Sequence, residues 1–394
     1  MKYSFLIFLF FLNTSCVHTG YVYSSRSARH DFEKGRFDDA LQWYQKQKPP
    51  ARDQLLYLLD QGIILHTAGR YQESIAAFKQ AMDFTEEREG AQTPSKTVSI
   101  VTNDNLIPYQ GEKFERLLIH VFQVLNYIGL GQNQEALIEI RRINTKFSDF
   151  QNTFASYLSG LTWESEAKIN DAYIDYKKTY RLQPAFKPLA QDLLKGSYLL
   201  GFLSDYARWK KTFGESFQEQ SPHQGEVVVL IEEGTVPEKK STEEEVDLQI
   251  LPLPTYPENL DPPEPVHIWV NEKEWGLATT LNRVDETAKK TLADQKPAMI
   301  ARGIARLAAK EAGAVIVGEK IDRDLGIFLG ILLLATNRAD LRSWLTLPRS
   351  FQVARLKLPE GSHAIELKWH GGHYTFTKVS VKEKRMTFLI HRAF

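Results

Sequence analysis

The chain has 394 residues, with 49 basic and 49 acidic side chains, 43% hydrophobic residues and one cysteine. A net charge of zero with no long basic block excludes nucleic acid as the main partner, and the composition excludes a polytopic membrane protein, a disulfide scaffold and a cysteine-based metal site. At about 100 to 200 residues per domain, the length predicts two or three units, apolar and aromatic enough to bury a core.

Lys2 precedes the apolar run from Tyr3 to Leu12, and Asn13-Thr14-Ser15-Cys16 follows. This order reads as the n-region, h-region and cleavage zone of a secretory signal over residues 1–15. The run is too short to span a bilayer. Cys16, directly after Thr14-Ser15, resembles the lipobox of bacterial lipoproteins, although Asn13 stands where that motif usually has Leu. The resemblance implies lipidation of Cys16, a tether over residues 16–23 and a periplasm-facing protein. Val17, in place of the Asp that retains lipoproteins at the inner membrane, implies the outer membrane.

Residues 69–82 set Gly69, Tyr71, Ser74, Phe78 and Ala81 at fixed spacing, and Gly35, Phe37, Ala40 and Tyr44 repeat it. Ala40 and Ser74 are 34 residues apart, the tetratricopeptide (TPR) period. A third copy carries Gly131, Ala136, Ile140 and Ile143 and a fourth Ile169, Ala172, Tyr176 and Thr179; in chain order the second and fourth match closely and the first and third loosely. Ala28, Gly62, Val124 and Gly160 each lie twelve residues before the small core residue of a copy. Small residues let paired helices approach closely while aromatics fill the grooves between hairpins. The pattern resembles TPR helical hairpins over 24–215, with residues 185–213 as a capping pair and residues 83–115 as an insertion.

That insertion holds Asn103, Asp104 and Tyr109 in dense turn chemistry, which reads either as a contact surface or as a structural plug. In TPR stacks the first helices of successive hairpins line the concave side. That face therefore draws on Leu55 to His66, Arg116 to Tyr127 and Phe154 to Leu161, with Asn103 and Tyr109 at its rim. Arg116, His120, Gln123 and Asn126 recur at helical spacing. They are polar partner contacts if the stripe faces the groove, and ordinary surface residues if it faces solvent.

Beyond Gly225 the hydrophobic period changes. Val227 to Ile231 is a continuous apolar strand, Val246, Leu248 and Ile250 alternate, and residues 237–265 hold seven of the 17 prolines, which predicts extended edge or linker structure. Ile268 and Val270 continue as a strand. Asp294 as N-cap and Pro297 in the first turn predict a helix with a stripe of Ile300, Ile304, Leu307, Ala308 and Val315; Arg302, Arg306 and Lys310 make a second, solvated face. Leu325 to Thr336 reads as a short buried helix. Phe351 to Leu358, Ile365 to Trp369, Tyr374 to Val381 and Met386 to His391 predict antiparallel strands. The class is α+β and multidomain: the helical repeats, then a β-rich, sandwich-like domain over 216–394 carrying two packed helices. The proline-rich segment and the change of period predict that the two halves fold independently.

His370 and His373 flank a Gly-Gly turn, but no further ligand set completes a zinc site. There is no Gly-x-Ser-x-Gly elbow and no phosphate loop, so the reading assigns no catalytic residue, metal or cofactor.

The strings Gly69-Arg70-Tyr71, Asn103-Asp104-Asn105 with Tyr109 and Gly111-Glu112, Gly225-Glu226-Val227-Val228 and Arg342-Ser343-Trp344 before Leu347-Pro348 together resemble a family of bacterial TPR-containing outer-membrane lipoproteins. The resemblance implies no activity and points only to a setting in cell-envelope assembly, peptidoglycan synthesis included; the first reading is a non-enzymatic adaptor whose concave face grips periplasmic or outer-membrane proteins. Two other readings stay open: an envelope hydrolase or transferase with its site between the halves, and an outer-membrane protein assembly factor.

Overall fold

The first half of the chain is helical because its apolar residues recur at helical spacing and glycines close each turn. In the computed structural model, which describes residues 20–90, 105, 107–219, 221–246, 249–320 and 338–394, the helices are α1 (Tyr21–Ser24), α2 (Arg26–Glu33), α3 (Phe37–Lys46), α4 (Gln54–Thr67), α5 (Tyr71–Gly90), α6 (Lys113–Gly129), α7 (Asn133–Lys146), α8 (Thr153–Ser165), α9 (Ile169–Leu182), α10 (Leu189–Leu199) and α11 (Leu203–Phe213). The signal segment, Cys16, Asn103, Asp104 and the run Leu325 to Thr336 lie outside the described residues.

From α2 onward the helices pair as hairpins in the predicted register, with Ala28, Ala40, Ser74, Val124, Ala136 and Ala172 buried. Where two helices touch, no side chain fits. A Cβ on Gly62 would lie 2.5 Å from the Phe78 ring, and one on Gly160 would lie 2.4 Å from the Tyr176 ring. The turn glycines Gly35, Gly69 and Gly131 have φ of 71°, 72° and 70°, a left-handed conformation that glycine adopts without strain. The α10–α11 pair matches the predicted capping hairpin. Helix α5 runs on through Gly90 and takes up the start of the 83–115 insertion.

Among the described residues, the second half forms three sheets. Strands β1 (Gln224–Glu233), β6 (Thr279–Arg283), β7 (Ser350–Pro359) and β10 (Met386–Ala393) make a sheet of order β10-β1-β7-β6. Strands β4 (His267–Val270), β5 (Lys273–Leu277), β8 (Gly361–Trp369) and β9 (Gly372–Val381) make a second of order β5-β4-β8-β9. Strand β1 runs parallel to β10 and antiparallel to β7. It is buried on both faces, which is why its sequence is continuously apolar: Val227, Val229 and Ile231 face the second sheet, whereas Val228 and Leu230 face the helices. The proline-rich segment contains a two-stranded hairpin, β2 (Lys240–Val246) and β3 (Gln249–Thr255), with Pro252 and Pro254 paired to Glu243 and Ser241. A two-stranded ribbon has only edges, where proline is tolerated.

Four expectations are corrected, the first being that the strand from Met386, expected antiparallel, pairs parallel with β1. Helix α12 spans Val284–Lys320, with Asp285 and Glu286 in its first turn and Pro297 inside it. It starts before Asp294 because Val284 and Ala288 are anchored in the core, and tertiary burial overrides the proline signal. Its Ile300, Ile304 and Leu307 stripe packs on Leu251 and Leu253 of β3, while Arg306 is buried and not solvated. The larger correction concerns independence. The helices and the sheet share one hydrophobic core, in which Phe78, Phe122 and Phe154 meet Val228, Leu230, Trp344 and Phe351. The proline-rich segment separates the halves in sequence, yet Phe351 and Val353 on the odd-numbered face of β7 are apolar and close on the helices.

Candidate functional site

The concave face of the helical array is filled by the chain itself. Residues 338–349 cross it before β7 and meet the buried carboxylates Asp53, Asp60 and Glu115 of the array. Glu115 anchors the crossing. Its Oε1 accepts from the Trp344 backbone N–H at 2.8 Å, while Oε2 accepts from the Glu112 backbone N–H at 2.8 Å and the Tyr109 hydroxyl at 2.5 Å. This carboxylate is the third residue of α6 and closes a capping box with Glu112. Burial, with Glu112 beside it, pushes its pKa up. Asp60 of α4 accepts from the Thr346 hydroxyl at 2.8 Å and from the Tyr44 hydroxyl at 2.7 Å, and also from Tyr21. Arg342 donates to the Arg52 and Ile107 carbonyls at 3.1 and 3.0 Å and to Asp53 at 3.3 Å. Trp344 is fully buried, its ring 5.8 Å from that of Phe78 and 5.9 Å from that of Phe122.

The expected contact residues divide accordingly. Asn126 lies wholly inside, sharing a 2.6 Å hydrogen bond with His66 Nδ1 and donating to Ser74 Oγ at 2.9 Å. His66 Nε2 reaches Glu232 of β1 at 2.6 Å. Burial disfavours the Glu232 carboxylate, but His66 and Arg392 hold its pKa below the ordinary range. Tyr109 is buried beneath Arg342. These two residues hold the groove closed and offer no surface to a partner. His120 and Arg116 lie elsewhere, lining a hollow of about 260 Å³ between α5, α6 and the end of α7. His120 Nδ1 sits 2.6 Å from Glu139. The structure thus separates a stripe that the sequence presents as one.

A cleft of about 820 Å³ opens at the C-terminal end of the array, between α10 and the sheets. Its residues come from five separate segments of the chain, which no local spacing in the sequence brings together. Arg355 of β7 lies at its base. It donates through Nη1 to Asp192 of α10 and through Nη2 to Glu226 of β1 at 2.7 Å and Glu164 of α8 at 3.1 Å. Lys195 also holds Glu164, at 2.6 Å. Burial works against the Glu164 carboxylate, yet Arg355 and Lys195 draw its pKa down to about 2. For Asp192, burial outweighs the pull of Arg355, and with Glu164 and Glu226 close by its pKa rises to about 7. The cleft mouth carries the apolar side chains Leu199, Phe217 and Trp275.

Among the described residues, His223, Glu360 and Glu383 bring ligand atoms within 4.8 Å of one another at an exposed corner. No helix among them is long and apolar enough to cross a membrane.

No protein-family model and no curated protein matches the chain. Solved structures resemble its helical part. MamA from Desulfovibrio magneticus RS-1, from residue 41 to its end, is 14% identical over 48% of this chain and 89% of its own, with a TM-score of 0.34. A second MamA structure is 17% identical over 47% of this chain and 90% of its own, with a TM-score of 0.33. A tetratricopeptide repeat protein from Parabacteroides merdae ATCC 43184 is 14% identical over 49% of this chain and 64% of its own, with a TM-score of 0.35. The helical hairpins of this chain, with their buried small residues and turn glycines, are TPR-like in their own right, and the chain is α+β.

Proposed function

We propose that the chain is a lipid-anchored, periplasm-facing adaptor that binds envelope proteins at the open end of its helical array, its groove being occupied from within. One observation carries the reading. Around the α10–α11 turn Tyr198, Leu199, Phe202 and Leu203 are exposed, Leu203 at 79%. Terminal repeats usually turn a polar face outward, and a contiguous apolar patch on a surface marks an interaction site. The membrane attachment at Cys16 and a setting in cell-envelope assembly, peptidoglycan synthesis included, extend this reading from the lipobox and the family resemblance.

Cross-linking in intact envelopes tests it with Phe202→Ala/Leu203→Glu. Recovery of a cross-linked partner is expected to fall with an unchanged thermal transition, and undiminished recovery would sink the proposed surface. Cys16→Ala should release the protein from membranes. A substituted protein that stays bound with its signal cleaved places the anchor elsewhere.

A second reading, a hydrolase or transferase with its site between the halves, is supported by the cleft. Asp192 at about 7 and Glu164 at about 2 are carboxyls pushed apart by their surroundings. Ion-pair networks perturb pKa values in the same way, and Arg355 ties both carboxyls together. The adaptor reading therefore stands first.

A further inference from the structure

The cleft is built for more than joining the halves. Gln191, Asp192, Lys195 and Leu199 line it from one side of α10, at the three- and four-residue spacing that aligns side chains on a helix. Opposite stand Lys357 of β7, Lys384 of the β9–β10 turn and Trp275 of β5. Its volume of about 820 Å³ falls within the roughly 300 to 1,000 Å³ of ligand-binding sites. The two acidic side chains at its base, Asp192 and Glu226, both engage Arg355. Toward solvent the cleft presents Lys357 and Lys384 against Glu219, while Lys195 is engaged by Glu164 at 2.6 Å. Lys384 lies 3.5 Å from Glu383, whereas Lys357 has no ion-pair partner among the described residues. Trp275 is 45% exposed, although an exposed indole on a short edge strand gains nothing for the fold.

We propose that this cleft binds an acidic segment of a protein partner, setting a carboxylate against Lys357 and Lys384 and an aromatic side chain against Trp275 and Phe217. This rests on the adaptor reading and names the chemistry of the partner. A carboxylate entering a cleft walled by protein is attracted more strongly than one on an open surface. An aromatic ring against Trp275 adds apolar contact with its own geometry. A polyanion without the ring, or a ring without the charge, satisfies half of the site.

The full chain, fluorescently labelled, is applied to an array of short synthetic peptides carrying one Phe, Tyr or Trp between Asp and Glu residues. Beside them stand the same peptides with Asn and Gln for the acids, or with Ala for the ring. The acidic-aromatic set is expected to retain about tenfold more protein than either control, a difference on the scale of one hot-spot contact, and less as salt rises. Trp275→Ala and Lys357→Glu/Lys384→Glu should each remove most of that preference at an unchanged Tm, while Lys357→Arg keeps it. Equal retention of the three sets overturns the proposal, as does a preference that survives both variants. If the array shows no preference while Phe202→Ala/Leu203→Glu still abolishes cross-linking, the cleft proposal fails and the adaptor reading stands. Preference on the array without any effect of the patch variant keeps the cleft and overturns the α10–α11 patch as the adaptor's binding surface.

Discussion

Phe351 of β7 lies flat on Phe154 of α8, with ring centroids 4.3 Å apart and planes 12° from parallel. Sheet and helical array are therefore joined ring to ring, and both rings are fully buried. Removing one should destabilise the whole molecule. Phe351→Ala is expected to lose about 3 to 5 kcal/mol in urea denaturation, with helix and sheet signals shifting together. A loss below about 1 kcal/mol, the level of an ordinary surface change, would mean that the contact adds little.

Arg355 draws carboxylates from α8, α10 and β1 to one guanidinium. Arg355→Ala leaves them buried without their countercharge and is expected to cost about 3 to 5 kcal/mol, as for other broken buried pairs. Thermal unfolding of the variant checks this.

Asp192 gives that network a pH dependence. Its folded pKa of about 7 lies above the ordinary carboxyl value of 3.8, so the folded state holds the proton more tightly. The associated stability is present in full below the unfolded value and is lost as pH rises through about 7. Glu164, at about 2 against 4.5, has the opposite sign, its contribution being lost as pH falls from about 4.5 toward 2. Asp192→Asn mimics the protonated acid. It should leave Tm nearly unchanged at pH 3 and raise it at pH 8. A lower Tm at pH 8 would show that the ionised carboxylate is the stabilising form.

Close helix pairing depends on glycines that sit against aromatic rings, Gly62 and Gly160 among them. Ala at Gly62 or Gly160 would force its Cβ into the rings of Phe78 or Tyr176. Each substitution is expected to cost about 1 to 3 kcal/mol, the usual penalty of overpacking. Gly69→Ala should also destabilise, but through its φ of 72°, since no atom lies within 4 Å of the added methyl. Denaturation midpoints of the three variants test the distinction.

The repeats were legible because Ala40, Ser74, Ala136 and Ala172 must be small where helices touch, and that requirement is local. The β1 run and the turns at Gly361 and Gly371 were legible for the same reason. What fills the groove was not. Asp60, Glu115 and Asn126 are polar residues on apolar first helices, and sequence periodicity gives their direction without saying whether an outside partner or Thr346, Trp344 and His66 will meet them. One signal was present: α4 is apolar on nearly every side, as a helix covered all round must be. The Arg355 cluster left no trace, because its members lie 129 to 191 residues from Arg355.

The central claim, that the helical array is completed by its own β-rich half, is tested most directly on residues 20–215 produced alone. Without Trp344, Phe351 and the β1 strand, the fragment should lack a cooperative thermal transition by circular dichroism and should bind a dye specific for exposed apolar surface. Addition of residues 216–394 should restore the transition. A fragment that melts cooperatively at the temperature of the full chain, with no dye binding, would contradict the account and return the groove to an outside partner.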